Sequence, residues 1–322
     1  MVNETLQERP KMTSSPAQSR SAKVLAHRSK RIKNTTGDRI FMVGVYVLLT
    51  TFLLVVLLPL LYIVASSFSD PLAVSSGRVT FWPVDFTLLG YEKALSDDSI
   101  ITGFTNSFIY TVAGTAISLV LTVAIAYPLS RQDFWGRRGI TLFVVFTMLF
   151  AGGIIPTYLV VQNLGLLDTR WALILPQAVG VWQVIIAVAF FRTLIPDELY
   201  EAAQLDGASD LRFLFSTVIP LSKPLLAVIA LMYAIYQWNS YFDALLYLRD
   251  EDLYPLQLVL RNVLILNQSA PGMDAAAAME RQQLASLLKY SLIVISTVLV
   301  MLVYPFVARF FNKGILVGAV KG

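Results

Sequence analysis

The stretch PDELYEAAQLDGASDLRFLFSTVIPLSKP, residues 196–224, is a polar and internally structured interruption in an otherwise apolar sequence. It carries five acidic residues, two basic residues and one glycine near its middle, and long apolar segments lie on both sides of it. A structured polar connection between two apolar segments typically contacts something outside the lipid. This stretch therefore indicates both a membrane fold and a partner. The rest of the sequence indicates how many spans the fold has and what kind of partner it contacts.

The composition of the chain predicts an integral membrane protein. Of its 322 residues 56% are hydrophobic and only 14% are charged, with a mean hydropathy of +0.66. Soluble domains contain about 45–50% apolar and about 25% charged residues. The chain has no cysteine, which excludes disulfides and thiolate metal sites. Its single histidine, His27, lies in the basic N-terminal stretch, so no histidine-based catalytic or metal site is expected within the membrane.

Six apolar segments are candidate membrane spans, because a helix of about 20 apolar residues crosses a bilayer. The predicted spans are 40–68, 104–129, 140–161, 171–191, 221–248 and 290–311. The third segment is interrupted by Gly152-Gly153 and by Pro156. The predicted fold is all-α, with six transmembrane helices forming one domain over residues 40–322.

Charge distribution predicts the orientation. Residues 1–39 hold nine Lys and Arg residues against three acids, and low hydrophobicity with excess charge predicts a disordered tail. Such a tail could bind nucleic acid or anionic lipid, but we expect a cytoplasmic tail that sets topology, with no nucleic-acid partner. Eighteen of the 25 Lys and Arg residues fall on the side of this tail. The sequence thus predicts both termini and loop 196–220 in the cytoplasm, and loop 249–289 outside.

The opening stretch reads as two short helices joined by a turn. Pro196 is predicted to occupy the first turn, Gly207 to end the first helix, Ser209 or Asp210 to cap the second, and Pro220 to end it. Two amphipathic helices could simply lie on the lipid surface, but such anchors carry Lys and Arg on their polar face. Five acids favour docking to a protein instead.

Several catalytic motifs are absent from the sequence. There is no G-x-x-x-x-G-K-[ST] loop, so the chain is not expected to bind ATP by that route, and there is no G-x-S-x-G or H-E-x-x-H motif. A transport function without catalysis is the favoured interpretation. An ion-coupled secondary transporter and a membrane enzyme remain alternatives. Uptake that survives ATP depletion but is abolished by an uncoupler would favour the first, and activity of the purified chain alone would favour the second.

One motif resembles a known family. Glu201-Ala202-Ala203, Gly207 after three further residues, and the run Thr217–Pro220 after nine more resemble the E-A-A loop of permease subunits of ATP-binding-cassette (ABC) importers. Thr217 and Ile219 depart mildly from the usual residues. The resemblance, to carbohydrate permeases of the maltose-permease type, extends over about 40–322. Further matches to this type are Asn106-Ser107, 126–131, Trp238-Asn239 and 318–322. The stretch 253–257 with Leu260-Arg261 resembles one branch in particular, which is usually assigned to complex oligosaccharides, including uronic-acid-containing ones.

The resemblance implies a role and a set of partners. Loop 196–220 would form coupling helices seated in a partner ATPase, with Glu201 facing a basic residue of that partner. The implied coupling residues are Glu201, Ala202, Ala203, Asp206, Gly207 and Pro220. The importer would contain a second, similar permease, two ATPase subunits that bind ATP and Mg, and an external solute-binding protein that delivers an oligosaccharide. It would lie in the bacterial cytoplasmic membrane, and this chain would hold no cofactor of its own.

The fifth predicted span is rich in aromatic and polar residues. Such groups within a span tend to face the bundle interior or a water path, and sugars are bound by aromatic faces with amide or carboxylate hydrogen bonds. The candidate substrate-path residues are Tyr233, Tyr236, Trp238, Asn239 and Asp243. Alternatively, the aromatic residues form an interfacial belt and Asn239 ties spans together. Helical spacing would place Tyr236, Asn239 and Asp243 near one another.

The external segment 249–289 is about forty residues long. Pro255 is predicted to start an amphipathic helix over 256–266, and 274–289 is predicted to be helical and to lead into the last span. The segment could contact the external binding protein or pack as a lid on the neighbouring permease. The sequence leaves both readings open.

Overall fold

The computed structural model describes residues 35–266, 282–283, 285–298, 300–302 and 305. All regular secondary structure within these ranges is helical. The predicted tail, apart from its last few residues, the C-terminal residues and most of the predicted helix 274–289 lie outside the described residues. The all-α prediction is confirmed.

Fourteen helices are labelled in chain order. They are α1 (Thr36–Ser67), α2 (Pro71–Ser75), α3 (Leu89–Ser96), α4 (Asp98–Ser130), α5 (Arg137–Leu149), α6 (Ile154–Asn163), α7 (Trp171–Ile174), α8 (Val181–Leu194), α9 (Asp197–Leu205), α10 (Asp210–Leu221), α11 (Lys223–Trp238), α12 (Phe242–Tyr247), α13 (Leu256–Leu266) and α14 (Ala285–Leu302). A 3-10 turn covers Glu251–Leu253.

Internal contacts divide the chain into two units, which meet between Leu57 and Leu58 within α1. In the first unit, α1 begins with a reciprocal cap: the Thr35 amide donates to Asp38 Oδ2 at 2.8 Å, and the Asp38 amide donates to Thr35 Oγ1 at 3.2 Å. This pairing satisfies two amides that a helix start otherwise leaves open. Nearly all apolar side chains that follow, up to Leu57, are exposed, as expected of a surface that faces lipid.

In the second unit the 33-residue helix α4 is the central element, and α8, α11 and α13 pack against it. Its buried face repeats every four residues and consists of small or hydroxyl-bearing side chains, which let neighbouring helices approach closely. These residues are Tyr110, Gly114, Ser118, Thr122 and Ala126. At Gly114 a β-carbon would lie 2.7 Å from the amide of Gln237, so α11 crosses α4 only because this residue is glycine.

Three helices are long and apolar enough to cross a membrane: α1, α4 and α14. The pair α5–α6, bent by 116°, and the pair α10–α11, bent by 81°, meet the same test only when each pair counts as one broken span. Helix α8 is apolar but has only 14 residues. The described residues therefore hold three spans, or up to five, by length and composition.

The structure corrects the predicted limits of two spans and confirms the interruption of a third. The segment 140–161 bends at Gly152-Gly153, as predicted, and Gly153 has φ +85°. The segment 171–191 is not one helix, because α7 stops before Pro176 and α8 starts only after Gly180. The segment 221–248 is split into α11 and α12. Hydropathy alone does not detect such interruptions, because the residues around each break remain apolar.

Candidate functional site

The element that we call the elbow, residues 196–221, consists of α9, a turn and α10. Pro196 lies one residue before α9 with ψ 151°, so it caps the helix and does not occupy its first turn as predicted. Gly207 has φ +74°, the Ala208 amide donates to the Ala203 carbonyl at 2.9 Å, and the Gly207 amide donates to the Gln204 carbonyl at 2.9 Å. These paired bonds are a helix C-cap that favours glycine at the left-handed position.

The second helix of the elbow begins as predicted and ends differently. Ser209 caps α10, and its hydroxyl oxygen accepts from the Arg212 amide at 3.3 Å. The prediction that Pro220 ends the helix is wrong, because α10 continues to Leu221. A π-helical turn over Leu214–Val218 precedes the proline. The wider turn relieves the clash that a proline ring otherwise makes with the carbonyl four residues earlier.

The predicted coupling residues lie mostly on the outer surface of the elbow. Glu201, Ala202, Asp206, Gly207 and Pro220 are exposed, and Ala203 is half-buried against the core. On the opposite side of α9, Tyr200 is buried. The elbow therefore has one face packed on the helices and one exposed face that carries Glu201 and Asp206.

Polar contacts fix the elbow to the end of α4. The guanidinium of Arg131 lies 3.5 Å from the centre of the Tyr200 ring, and the Tyr200 hydroxyl donates to Asp210. Gln132 Nε2 donates to Asp197 Oδ2 at 2.8 Å, and Arg131 is also within 3.9 Å of Asp197. The bond to Asp210 raises the pKa of Tyr200, with burial and nearby negative charge adding to the shift.

The sequence interpretation did not assign a role to these anchoring residues. Arg131 was noted only as the last residue of a motif match, and Tyr200 lies just before the E-A-A triplet. The helical spacing of Asp197 and Tyr200, three residues apart, places both on one face of α9. That spacing is a signal for a shared contact, but it does not identify Arg131 as the residue contacted.

Three of the five candidate substrate-path residues lie together at the end of α11. Tyr236 and Asn239 are exposed and Asp243 is half-buried. The Tyr236 hydroxyl donates to Asp243 Oδ2 at 2.8 Å across the break between α11 and α12, and Asn239 Nδ2 donates to the Ile235 carbonyl at 2.8 Å. The structure brings Tyr236 and Asp243 together across a break in the helix and not along one helix face, whereas Asn239 bonds back to its own helix.

The other two candidates, Tyr233 and Trp238, are packing residues in this conformation. Tyr233 is 3% exposed, and its hydroxyl lies 2.7 Å from Thr122 Oγ1 and accepts from the Gly180 amide at 3.0 Å. Trp238 is 6% exposed and packs edge-on against Phe104, with 5.9 Å between ring centres. The face of α11 that packs on α4 contains both side chains, which hold the helices together and do not line an open surface.

A second polar network ties the opposite end of α4 to the segment before α13. Asn106 Nδ2 donates to the carbonyls of Asp252 at 2.7 Å and Tyr254 at 3.2 Å, and the Tyr110 hydroxyl donates to the Leu253 carbonyl at 2.8 Å. Ser107 Oγ accepts from the Leu256 amide at 2.8 Å. The pair Asn106-Ser107 was noted in the sequence only as a family match, and the structure gives it this role.

Asp168 extends this network. It adopts φ +58°, and its Oδ1 accepts from the amides of Arg249 at 2.9 Å and Asp250 at 2.8 Å. These two backbone donors lower the pKa of Asp168. The loop between α6 and α7 is thereby fixed to the segment that follows α12.

Nothing in the described part of the chain forms a group of three or more residues suited to hold a metal ion. Helix α4 is instead held by polar contacts to the elbow and to the segment 252–254, and the break after α11 carries polar side chains that are exposed or half-buried.

Comparison with known proteins identifies the family. The chain is 42% identical over 285 residues to the polygalacturonan/rhamnogalacturonan transport system permease protein YtcP of Bacillus subtilis, covering 88% of this chain and 99% of that protein. It is also 42% identical to protein LplC of the same organism, covering 90% and 97%. A crystal structure of a bacterial ABC transporter that imports the acidic polysaccharide alginate has a chain that matches with a TM-score of 0.80 at 37% identity, covering 86% and 99%. No protein-family model matches the chain.

The chain therefore belongs to the permease subunits of sugar-importing ABC transporters. The resemblance drawn from the E-A-A loop is confirmed, as is the prediction of a transport subunit that performs no catalysis. Membership of this family favours an ATP-driven importer over the two alternatives that the sequence left open, an ion-coupled secondary transporter and a membrane enzyme.

Proposed function

We propose that this chain translocates an oligosaccharide of the uronic-acid-containing kind, which an external binding protein delivers. The relatives YtcP and the alginate importer chain are named for acidic polysaccharides, and both align over nearly their whole lengths. The chain would span the membrane six times, with both termini in the cytoplasm. In this arrangement α5–α6, α7–α8 and α11–α12 act as broken spans, and α10 stays with the elbow at the cytoplasmic surface.

The observation that carries the mechanism is the fixation of both ends of α4. At one end Arg131 and Gln132 hold the elbow, and at the other Asn106 and Tyr110 hold the segment 252–254. At about 1.5 Å per residue, the 25-residue separation between Asn106 and Arg131 spans about 38 Å, which exceeds the hydrocarbon core of about 30 Å. A displacement of the elbow is thus carried to the external segment by one continuous helix.

The elbow is the proposed docking element for the ATPase subunits. Its exposed face carries Glu201 and Asp206, which suit a basic cleft, while Ala202 lets the partner backbone approach closely. ATP binding by two partner ATPases would bring this elbow and that of a second permease together. Because the elbows make different contacts with the ATPases before and after ATP binding, this movement would change the side of the membrane to which the sugar path opens.

The proposed sugar contacts are Tyr236, Asn239 and Asp243. They combine an aromatic face with amide and carboxylate groups at a break in the helix, where the side chains remain accessible. Tyr233 and Trp238 support this site from behind by fixing α11 on α4.

One pair of experiments tests both parts of the proposal. In the assembled importer, Glu201→Lys should abolish co-purification of the ATPase, whereas Glu251→Lys, the same charge change far from the elbow, should not. Asn239→Ala and Asp243→Ala should lower oligosaccharide uptake while ATPase binding stays normal. Normal co-purification and sugar-stimulated hydrolysis in Glu201→Lys would contradict the docking role, and unchanged uptake kinetics in the other two variants would assign those residues to helix packing.

A further inference from the structure

Three adjacent cavities beside the elbow share a lining of arginines. The first, about 440 Å³, lies between the end of α4 and the start of α9. The second, about 340 Å³, lies along α5, and the third, about 190 Å³, lies between α5 and α8. Arg192 lines all three cavities, and Arg137 lines the first two. The cavities therefore form a continuous groove, which starts at a basic mouth and continues between two apolar helices.

The arginines at this mouth lack acidic partners. Arg137 Nη1 donates to the Arg131 carbonyl at 3.2 Å, and Arg192 Nη2 donates to the Leu129 carbonyl at 2.8 Å. Among the residues that the structure describes, no carboxylate oxygen lies within 4.0 Å of Arg137, Arg138 or Arg192. These three arginines make up half of the lining of the second cavity, which contains no acid. Guanidinium groups with free donors in one place favour an anion such as a phosphate.

The first cavity differs in its charge. Asp197 and Glu198 line it together with Arg131, and Asp197 already pairs with Arg131 and Gln132. Excess positive charge is therefore located at the mouth of the second cavity, next to α5. Just before α5, Trp135 is 94% exposed, which is typical of an aromatic residue at the headgroup level of a membrane.

Behind the basic mouth the groove is apolar. Leu142 and Val145 line the second cavity, and Val144, Ile185 and Val188 line the third. Thr141 lines both cavities. Arginine side chains at one end of the groove and apolar side chains at the other suit a ligand with a polar end and a hydrocarbon end.

We propose that this groove binds one anionic phospholipid. The phosphate is held by Arg137, Arg138 and Arg192, and one acyl chain lies between α5 and α8 against Val145 and Val188. Basic pockets between helices at the cytoplasmic surface are suited to anionic headgroups. A soluble phosphate would satisfy the arginines but leave the apolar part of the groove empty.

The position of the lipid links it to the elbow. Arg137 and Arg192 also donate to carbonyls at the end of α4, where Arg131 holds Tyr200. A phosphate that bridges these two arginines fixes α5 and α8 to the end of α4. The membrane's content of anionic lipid would thereby influence how firmly the elbow is held.

The test measures lipid retained by the purified, assembled importer. Native mass spectrometry is run with dioleoylphosphatidylglycerol and, separately, with dioleoylphosphatidylcholine. We expect the wild-type importer to retain the anionic lipid preferentially, and Arg137→Gln and Arg138→Gln each to weaken it about tenfold, the effect of one lost charge-assisted bond. Arg78→Gln, at an arginine paired with Asp85 in a different loop, should retain the wild-type preference.

Two further variants separate the lipid from other occupants. Val145→Phe fills the apolar groove without changing charge, and should displace the lipid while the importer remains assembled. Equal retention of both lipids by wild type, or unchanged retention in Val145→Phe, would overturn the proposal. Displacement of the lipid by glycerol 3-phosphate at matched concentration would assign the site to a soluble anion and overturn it as well. Cross-linking of Leu142→Cys to the second permease, with no lipid retained, would show that protein covers the groove and would overturn the proposal.

Discussion

The guanidinium of Arg131 lies over the ring of Tyr200, 3.5 Å from its centre, and this contact joins the end of the longest described helix to the first helix of the elbow. The Arg131 side chain is only 13% exposed, which shields the contact from water and strengthens it. The Tyr200 hydroxyl, bonded to Asp210, extends the same contact to the second helix of the elbow.

Substitution at Tyr200 should uncouple ATP hydrolysis from uptake. Tyr200→Phe keeps the ring under Arg131 but loses the bond to Asp210, and Tyr200→Leu loses both. We expect the ratio of sugar taken up to ATP hydrolysed to fall modestly in the first variant and several-fold in the second, for a cation–π contact of about 1–2 kcal/mol. Arg131→Lys should also lower the ratio of sugar taken up to ATP hydrolysed, because lysine has no planar head group to stack on the ring. Equal ratios in wild type and Tyr200→Leu would refute this link.

Gly207 offers a test of backbone conformation alone. A β-carbon at this position meets no atom within 4 Å, so substitution causes strain without a clash. Gly207→Asn should be tolerated, because asparagine adopts positive φ readily, whereas Gly207→Val should destabilise the turn by about 1–2 kcal/mol. The measurement is the amount of ATPase that co-purifies with each variant. Similar losses in both would mean that the surface of the elbow, and not its turn, decides docking.

Asn106 should control the order of the segment before α13. It is 2% exposed, and Asn106→Ala removes its two hydrogen bonds to part-buried carbonyls, at a cost of about 1–3 kcal/mol. We expect faster amide exchange over 250–258 and a lower melting temperature. Thr105→Ala is the matched control, since Thr105 is exposed and its hydroxyl bonds only within its own helix. Identical exchange in the two variants would be inconsistent with the proposed anchoring.

The Asp168 contact should fail in acid. Its pKa is lowered by the amides of Asp250 and Arg249, so the ionised carboxylate stabilises the folded loop above about pH 4 and this contribution is lost as the pH falls through the lowered value. Protection of the Arg249 and Asp250 amides, measured by nuclear magnetic resonance or exchange, should decrease over that range. In Asp168→Asn the protection should be weaker at neutral pH and independent of acid. The same acid dependence in this variant would rule Asp168 out as the titrating group.

The sequence was sufficient for the turn of the elbow because its signals are local. Gly207 forms the turn through its backbone conformation and Ser209 caps the next helix through its side chain, and the partners of both lie within five residues in the sequence. The interrupted spans were harder to predict, because Pro176 and Gly180 lie in apolar sequence that hydropathy reads as continuous. Whether Tyr233 or Tyr236 is buried depends on which face of α11 packs on α4, and that choice is made by residues more than a hundred positions away.

The interruptions also determine where the molecule can bend. Helix α4 contains one proline, Pro128, in its last turn, whereas the described breaks with large angles fall at Gly152-Gly153 and at Ser222. A helix without an internal joint has little compliance along its length. The neighbouring helices, which contain the breaks, are therefore expected to bend more easily than α4. A small rotation at the elbow should reach the far end of α4 almost undiminished. Variants that soften α4 near its middle should thus reduce the efficiency of transmission even though they contact neither nucleotide nor sugar.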